Sequence, residues 1–348
     1  MKAQRIYLKA LLAASILILA AGCARKVETR TEDRKYQASF LTLFNTVSTI
    51  VGYSESEESF RTVSESIHDE LLVYHQLYDI YSSYPGITSL KDVNDRAGTE
   101  PVKVDGRIIE LLLFCKDVYD ATEGRVNAAM GAVLSLWHDA REDSLSDPEN
   151  AYLPDASELR EASLHIDFDD VVIDEDASTV FFRDPELRLD VGAIAKGFAV
   201  QKVSEAFDGP FLLSVGGNVS AIGPKPNGGA WVIGVQNPYG ENDSYIHTLS
   251  VKEGNIVTSG DYQRYYEVDG KAYHHIIDPD TLLPADKWKA VTVVASSSAV
   301  ADALSTALFL MPLEEGKTLL AEYGAEAYWL DLNGNEFFSD GFDRLLRT

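Results

Sequence analysis

The sequence is poor in cysteine, with only two in 348 residues, Cys23 and Cys115. No CxxC pair exists for redox chemistry or a zinc knuckle, and a disulfide framework is ruled out once Cys23 is otherwise engaged. There is no HExxH, no Walker A loop and no GxGxxG turn, so the common signatures of zinc proteases, P-loop proteins and dinucleotide folds are missing. Positive charge is scarce. Lys and Arg number 30 against 55 Asp and Glu, a net charge of -25. Nucleic acid is thereby excluded as a partner, because phosphate binding needs a basic face. The same deficit means that an anionic nucleotide has to be received at a local site, with a metal ion as the natural source of the missing charge.

The N-terminus reads as a targeting segment. Lys2, Arg5 and Lys9 form a positive region ahead of an apolar run over residues 10–21. That run is short for a spanning helix, which needs about 20 apolar residues. Leu19-Ala20-Ala21-Gly22-Cys23 follows and resembles a bacterial lipoprotein signal, with Ala20 where leucine is commoner. The expectation is a signal over 1–22, lipid on Cys23, a polar tether over 23–38 and a folded domain over 39–348. The protein then sits on the extracytoplasmic face of the cell membrane, held by two or more acyl chains. A plain secretory signal is the other reading. Cys115 lies in an apolar stretch and reads as a buried inert thiol.

Apolar and polar residues alternate well enough over 39–52 for a strand. Helical spacing recurs over 59–81, through Val63, Ile67, Leu71, Tyr74, Leu77 and Tyr78, and again over 107–122. Residues 139–159 are acidic and read as loop. Short strands with Asp-rich turns are expected over 166–190, a helix over 196–207, a strand-rich stretch over 211–251, a strand over 291–295 and a serine-capped helix over 298–311. No βαβ rhythm appears, so the fold class is α+β.

Four segments carry candidate chemistry. In Leu189-Asp190-Val191-Gly192-Ala193-Ile194-Ala195-Lys196-Gly197 a strand turns through glycine into a helix whose free N–H groups favour anions. Lys196 sits in that first turn, against the dipole preference, which suits either a phosphate ligand or an ordinary surface corner. His274-His275-Ile276-Ile277-Asp278-Pro279 offers His275 as a general base, with Asp278 or another carboxylate to orient it, or else as a satisfied structural histidine. On a strand the two histidines point to opposite faces, so one at most lines a given pocket. Asp302 and Thr306 lie at i and i+4 on one face of the last apolar helix. Carboxylate and hydroxyl oxygens there suit Mg²⁺, although Thr can bond back to its helix and Asp can pair with a lysine. Ser214-Val215-Gly216-Gly217-Asn218 ends a strand in paired glycines, for close approach to a ligand or for a hairpin turn.

Taken together and in this order, with Thr258-Ser259-Gly260-Asp261-Tyr262 and Ser82-Ser83-Tyr84, these segments resemble the ApbE family of FAD:protein FMN transferases. The resemblance runs from about Thr42 to Met311 and implies a T-fold-like architecture of mixed antiparallel sheets with packed helices. It implies that Tyr84 lies against FAD and that Phe44, Arg125, Val126, Asn127, Asp190, Lys196, His275 and Ile276 contact it. It also implies that the Ala193 carbonyl, Asp302 and Thr306 hold Mg²⁺, with Ser305 adding a carbonyl, and that His275 takes the proton of an acceptor threonine or serine. The implied partner is an acceptor flavoprotein, and the implied products are FMN-labelled acceptor and AMP. Here the chain has Asn127 for a usual aspartate, Ala128-Ala129 for Pro-Thr, and Asp280-Thr281-Leu282 for Arg-Thr-Gly. An FAD pyrophosphatase and a flavin-binding lipoprotein without chemistry are the alternative functions.

Overall fold

Between Val47 and Ser54 burial falls on every second residue, at Ser48, Ile50 and Gly52, as expected for a strand with one face on a core. The computed structural model of the chain describes residues 33–41, 43–240 and 244–347. The expected signal, Cys23 and most of the expected tether lie outside them. Strands β1 (Arg34–Leu41) and β2 (Val47–Ser54) pair antiparallel around a single turn, Leu43–Asn45. This corrects the single strand expected over 39–52. Phe44 and Asn45 both take a left-handed φ of 53°, which breaks the extended chain. Strand β1 also begins inside the stretch read as tether. Its basic residues fit there because β1 is an edge strand, where charge discourages further pairing.

The elements then run α1 (Glu57–Tyr78), α2 (Leu90–Asn94), β3 (Val102–Lys103), α3 (Gly106–Ala121), α4 (Gly131–Ser146), α5 (Ala156–Ala162), β4 (Val171–Asp174), β5 (Thr179–Phe182) and α6 (Ala195–Ala206). Next come β6 (Phe211–Val215), β7 (Asn218–Ala221), β8 (Trp231–Gln236), β9 (Tyr245–Val251), β10 (Gly254–Gly260), β11 (Tyr265–Val268) and β12 (Lys271–His274). The last are β13 (Trp288–Ala295), α7 (Ser298–Leu310), α8 (Leu313–Glu322), β14 (Glu326–Asp331) and β15 (Glu336–Phe338). Most boundaries fall within a few residues of the expected ones. The exception is 139–159, where α4 continues to Ser146 and α5 follows. Its acidic surface hides a buried face, in which Trp137, Ala140 and Ser144 turn inward and Trp137 Nε1 donates to the Leu282 carbonyl at 3.0 Å.

Eight strands form one sheet in the order β1-β2-β6-β7-β10-β13-β14-β15, every adjoining pair antiparallel. Alternation divides its residues between two cores. Val257, Val291, Val293, Ala327 and Trp329 pack with the helices, while Ile256, Ala290, Tyr328 and Leu330 pack with the β8–β9 ribbon on the other face. The helical core takes in α1, α3, α6 and α7. A third apolar cluster joins α4 and α5 to the β11–β12 hairpin through Met130, Trp137, Leu159, Tyr266 and Ile277. The α+β class expected from the sequence is the one observed. Among the described residues no helix is long and apolar enough to cross a membrane.

Candidate active site

Helices α6 and α7 meet at a point that only glycine allows. Gly197 is the third residue of α6, so its N–H has no partner within the helix. Asp302, on the second turn of α7, supplies one: its Oδ2 accepts from Gly197 N at 2.7 Å. A carboxylate is thus held at the positive end of the α6 dipole. Lys196 Nζ stands 3.9 Å from the same oxygen and donates to the Gly192 carbonyl at 3.0 Å. A Cβ at position 197 overlaps Asp302 Cβ and the Ser298 carbonyl. Gly197→Ala therefore forces the helices apart and lowers stability by about 1–3 kcal/mol, the usual cost of overpacking. Thermal melting checks this, and an unchanged midpoint contradicts it.

Asp302 is only 4% exposed, yet it has a share in the wall of a cavity of about 770 Å³. Its Oδ2 is engaged, whereas Oδ1 accepts no hydrogen bond among the described residues. Thr306 is the one residue between positions 301 and 310 that is only half-buried, and it lines the same wall, as does Ala193. The hydroxyl that bonds back to the helix is that of Ser305. It donates to the Asp302 carbonyl at 2.8 Å and meets Ser259 Oγ at 2.8 Å on β10. Ser305 is not part of the cavity wall, and these bonds of its hydroxyl do not involve the carbonyl that the resemblance implies for the metal. Among the described residues no three His, Cys, Asp or Glu side chains cluster as a metal site. The oxygen set present is one carboxylate, one hydroxyl and a backbone carbonyl, which fits Mg²⁺, an ion that keeps several waters and needs one or two carboxylates.

The β11–β12 hairpin brings His275 to the same cavity. Its Nδ1 faces the Arg264 carbonyl at 3.2 Å. A carbonyl can only accept, so Nδ1 carries the proton and Nε2 carries the lone pair. The ring is open to the cleft, but the surrounding protein, Arg264, His274 and Lys196 disfavour its charged form and lower its pKa to about 3. The imidazole is then neutral throughout pH 5–8, with its one proton on Nδ1. Its NMR signals are expected not to titrate in the unliganded protein, and an inflection near the ordinary histidine value, about 6.5, contradicts this. Asp278 is not the orienting group. Its Oδ1 accepts from Asp280 N at 2.9 Å and Thr281 N at 3.3 Å, and its Oδ2 faces Lys287 at 3.8 Å. His274 also touches the cavity wall, against the expectation that one histidine at most does so. Both its nitrogens are taken, Nε2 by the Ala285 carbonyl at 2.7 Å and Nδ1 by Ile276 N at 3.2 Å, so it is structural.

Phe44, Arg125, Val126, Asn127, Asp190, Lys196 and Ile276, the residues for which the resemblance implies FAD contact, all line the cavity. Asn127 spans the turn where the aspartate is missing: its amide donates to the Ile166 carbonyl at 2.7 Å and its Oδ1 accepts from Ala129 N at 2.8 Å. Burial pushes the Asp190 carboxyl up, against the Gly192 N–H and the charges of His138, Lys196 and Arg264. Tyr84 is the residue the structure moves. It does not line the cavity; Tyr81, three residues earlier, does, with its ring centroid 4.9 Å from that of His138. Arg141 and Arg264 also face the cavity and were not singled out from the sequence. Four cations, Arg125, Arg141, Lys196 and Arg264, meet four acids, Asp79, Glu142, Asp190 and Asp302, in a chain where acids outnumber bases 55 to 30. The cavity is thus locally far more basic than the molecule.

Fold and site together define an α+β protein with a cleft in which cations equal acids in number, bounded by a carboxylate-bearing helix junction and a neutral histidine. The pattern of the ApbE family matches residues 44–329, and the chain belongs to that family. An FAD:protein FMN transferase of Treponema pallidum is 32% identical over 288 residues, spanning 77% of this chain and 77% of that one. One from Klebsiella pneumoniae is 30% identical over 267 residues, 73% of this chain and 80% of the relative. The crystal structure of the ApbE protein from Thermotoga maritima has a TM-score of 0.80 at 30% identity, covering 90% of this chain and 100% of that one. Flavin transferase ApbE from Vibrio cholerae, at 22% identity and a TM-score of 0.74, covers 90% of this chain and 100% of its own and bears on the fold alone.

Proposed function

We propose that the chain is a Mg²⁺-dependent FAD:protein FMN transferase that moves FMN from FAD to a threonine or serine hydroxyl of an acceptor flavoprotein, releasing AMP. The observation that carries this reading is the junction of Lys196, Gly197 and Asp302 on the wall of a cavity that His275 also faces. Asp302 Oδ1, the Thr306 hydroxyl and the Ala193 carbonyl would hold the ion. When bound, Mg²⁺ supplies the charge neutralisation that a breaking pyrophosphate needs. Lys196 and Arg264 attract and orient the FAD phosphates. The acceptor oxygen forms a bond to the phosphorus on the FMN side as the bond from that phosphorus to AMP breaks. His275 Nε2 receives the hydroxyl proton.

A base of such low pKa is weak. Two of the groups that depress it, Arg264 and Lys196, are the cations that anionic phosphates offset. Phosphates bound beside Arg264 and Lys196 would offset that part of the depression, while burial, its largest cause, remains. Cys23 carries lipid in this reading, and the segment before β1 tethers the enzyme to the outer face of the cell membrane.

The test is to incubate the protein with FAD and Mg²⁺, with and without an acceptor, and to separate AMP from FMN. Transfer gives AMP with flavin bound covalently to the acceptor, and chelation stops it. Free FMN with an unlabelled acceptor instead means a pyrophosphatase. Tight FAD binding that survives chelation, with no AMP, means a flavin-binding protein without chemistry.

A further inference from the structure

Beside two aromatic side chains of the cavity wall runs a chain of hydrogen bonds that the transfer chemistry does not use, and His75 and Asp79 within it also reach that wall. Phe44 lines the cavity with its backbone in the left-handed region (φ 53°, ψ 31°), a conformation uncommon for a residue with a Cβ. Its N–H donates to His75 Nδ1 at 3.3 Å, and the two rings meet edge to face with centroids 5.5 Å apart. His75 therefore carries its proton on Nε2. Burial lowers its pKa against the pull of Asp79, which favours the neutral ring that this acceptor role requires. Nε2 faces Tyr84 Oη at 3.4 Å, and the Tyr84 hydroxyl donates to Asp79 Oδ2 at 2.6 Å. The other oxygen, Asp79 Oδ1, accepts from Tyr81 N at 2.7 Å and Ser82 N at 3.1 Å.

The donors all run one way, from Phe44 through His75 and Tyr84 to Asp79, and Asp79 fixes the backbone of Tyr81. We propose that Asp79, Tyr84 and His75 are positioning residues that hold the cavity rings Phe44 and Tyr81 in place for the FAD substrate. The proposal rests on the transferase reading. Both ring nitrogens of His75 and both oxygens of Asp79 already have protein partners, so neither is free to serve a ligand. It also accounts for Tyr84: the tyrosine acts through the ring-bearing segments without facing the substrate itself. The path joins the turn after β1 to the end of α1 and adds directional hydrogen bonds to the apolar core that Leu43 shares with that helix.

Steady-state kinetics of Tyr84→Phe, His75→Leu and His75→Asn test this, with FAD affinity of each variant measured by quenching of flavin fluorescence. Tyr84→Phe and His75→Leu are expected to raise KM and Kd for FAD about 5- to 10-fold while kcat stays within about twofold, the pattern of lost ground-state binding. His75→Asn places an amide oxygen near the position of Nδ1, can accept from Phe44 N, and is expected to restore most of the affinity. Wild-type KM and Kd in Tyr84→Phe and His75→Leu overturn the proposal, as does a fall in kcat alone or a His75→Asn no better than His75→Leu. Tyr84→Phe removes one partly exposed hydroxyl, so its fold survives and its result stands if a His75 variant does not fold. Failure of the wild-type protein to bind FAD removes the transferase reading itself, a result separate from any of these.

Discussion

Asp302→Ala is expected to lower FMN transfer by about 10³-fold or more, the scale seen when a preorganised charge stabiliser is removed from a reacting centre. The expectation follows from the two oxygens of this carboxylate. Oδ2 is a structural cap on Gly197 N, and Oδ1 is left open on the cavity. Alanine removes both, and loss of the cap costs about 1 kcal/mol of stability. Asp302→Asn separates them. An amide oxygen still caps Gly197, so thermal stability stays close to wild type, but the negative charge that suits a divalent ion is gone. Transfer rates at saturating Mg²⁺, read beside melting curves, check the pair. Asn restoring most of the activity along with the stability contradicts the metal assignment and reduces Asp302 to a helix cap.

His275→Ala is expected to cost about 10²- to 10⁴-fold in kcat, the range of a positioned general base, with FAD binding retained. The side chain hangs on the cleft side of the β11–β12 hairpin with one hydrogen bond, to the Arg264 carbonyl, so its loss leaves no buried partner stranded. Single-turnover kinetics and FAD titration of the same sample check this. Retained transfer at neutral pH contradicts the role. Loss of binding in proportion to rate shifts His275 from proton acceptor to ligand contact.

The fold class and the positions of most helices were legible because their burial follows simple periods. Helix α7 is so apolar that Asp302 stands out in it, and an acid there demands a partner. The identity of that partner was not legible. The Gly197 N–H lies 105 residues away in sequence and becomes available only because it opens a helix. Helix α4 was obscured by its acidic outer face, which hid Trp137, His138 and Arg141 along with it. Tyr84 and Tyr81 lie three residues apart in a segment without regular structure, where spacing does not say which ring turns inward. Asp79 decides it by drawing the Tyr84 hydroxyl to one of its oxygens and the Tyr81 N–H to the other. The turn at Phe44 and Asn45 takes a left-handed backbone without a glycine, so nothing in the spacing marks the break between the two strands.

The central claim is that this cavity carries out transfer with Asp302 as the metal-holding carboxylate. Its most direct test is the intact mass of an acceptor flavoprotein, supplied without its flavin, after incubation with FAD and the wild-type protein or Asp302→Asn, in Mg²⁺ or in chelator. The account predicts that the acceptor gains the mass of FMN less one water only with wild type and Mg²⁺. Equal labelling by Asp302→Asn or in chelator, or an acceptor of unchanged mass beside freshly released FMN, contradicts it.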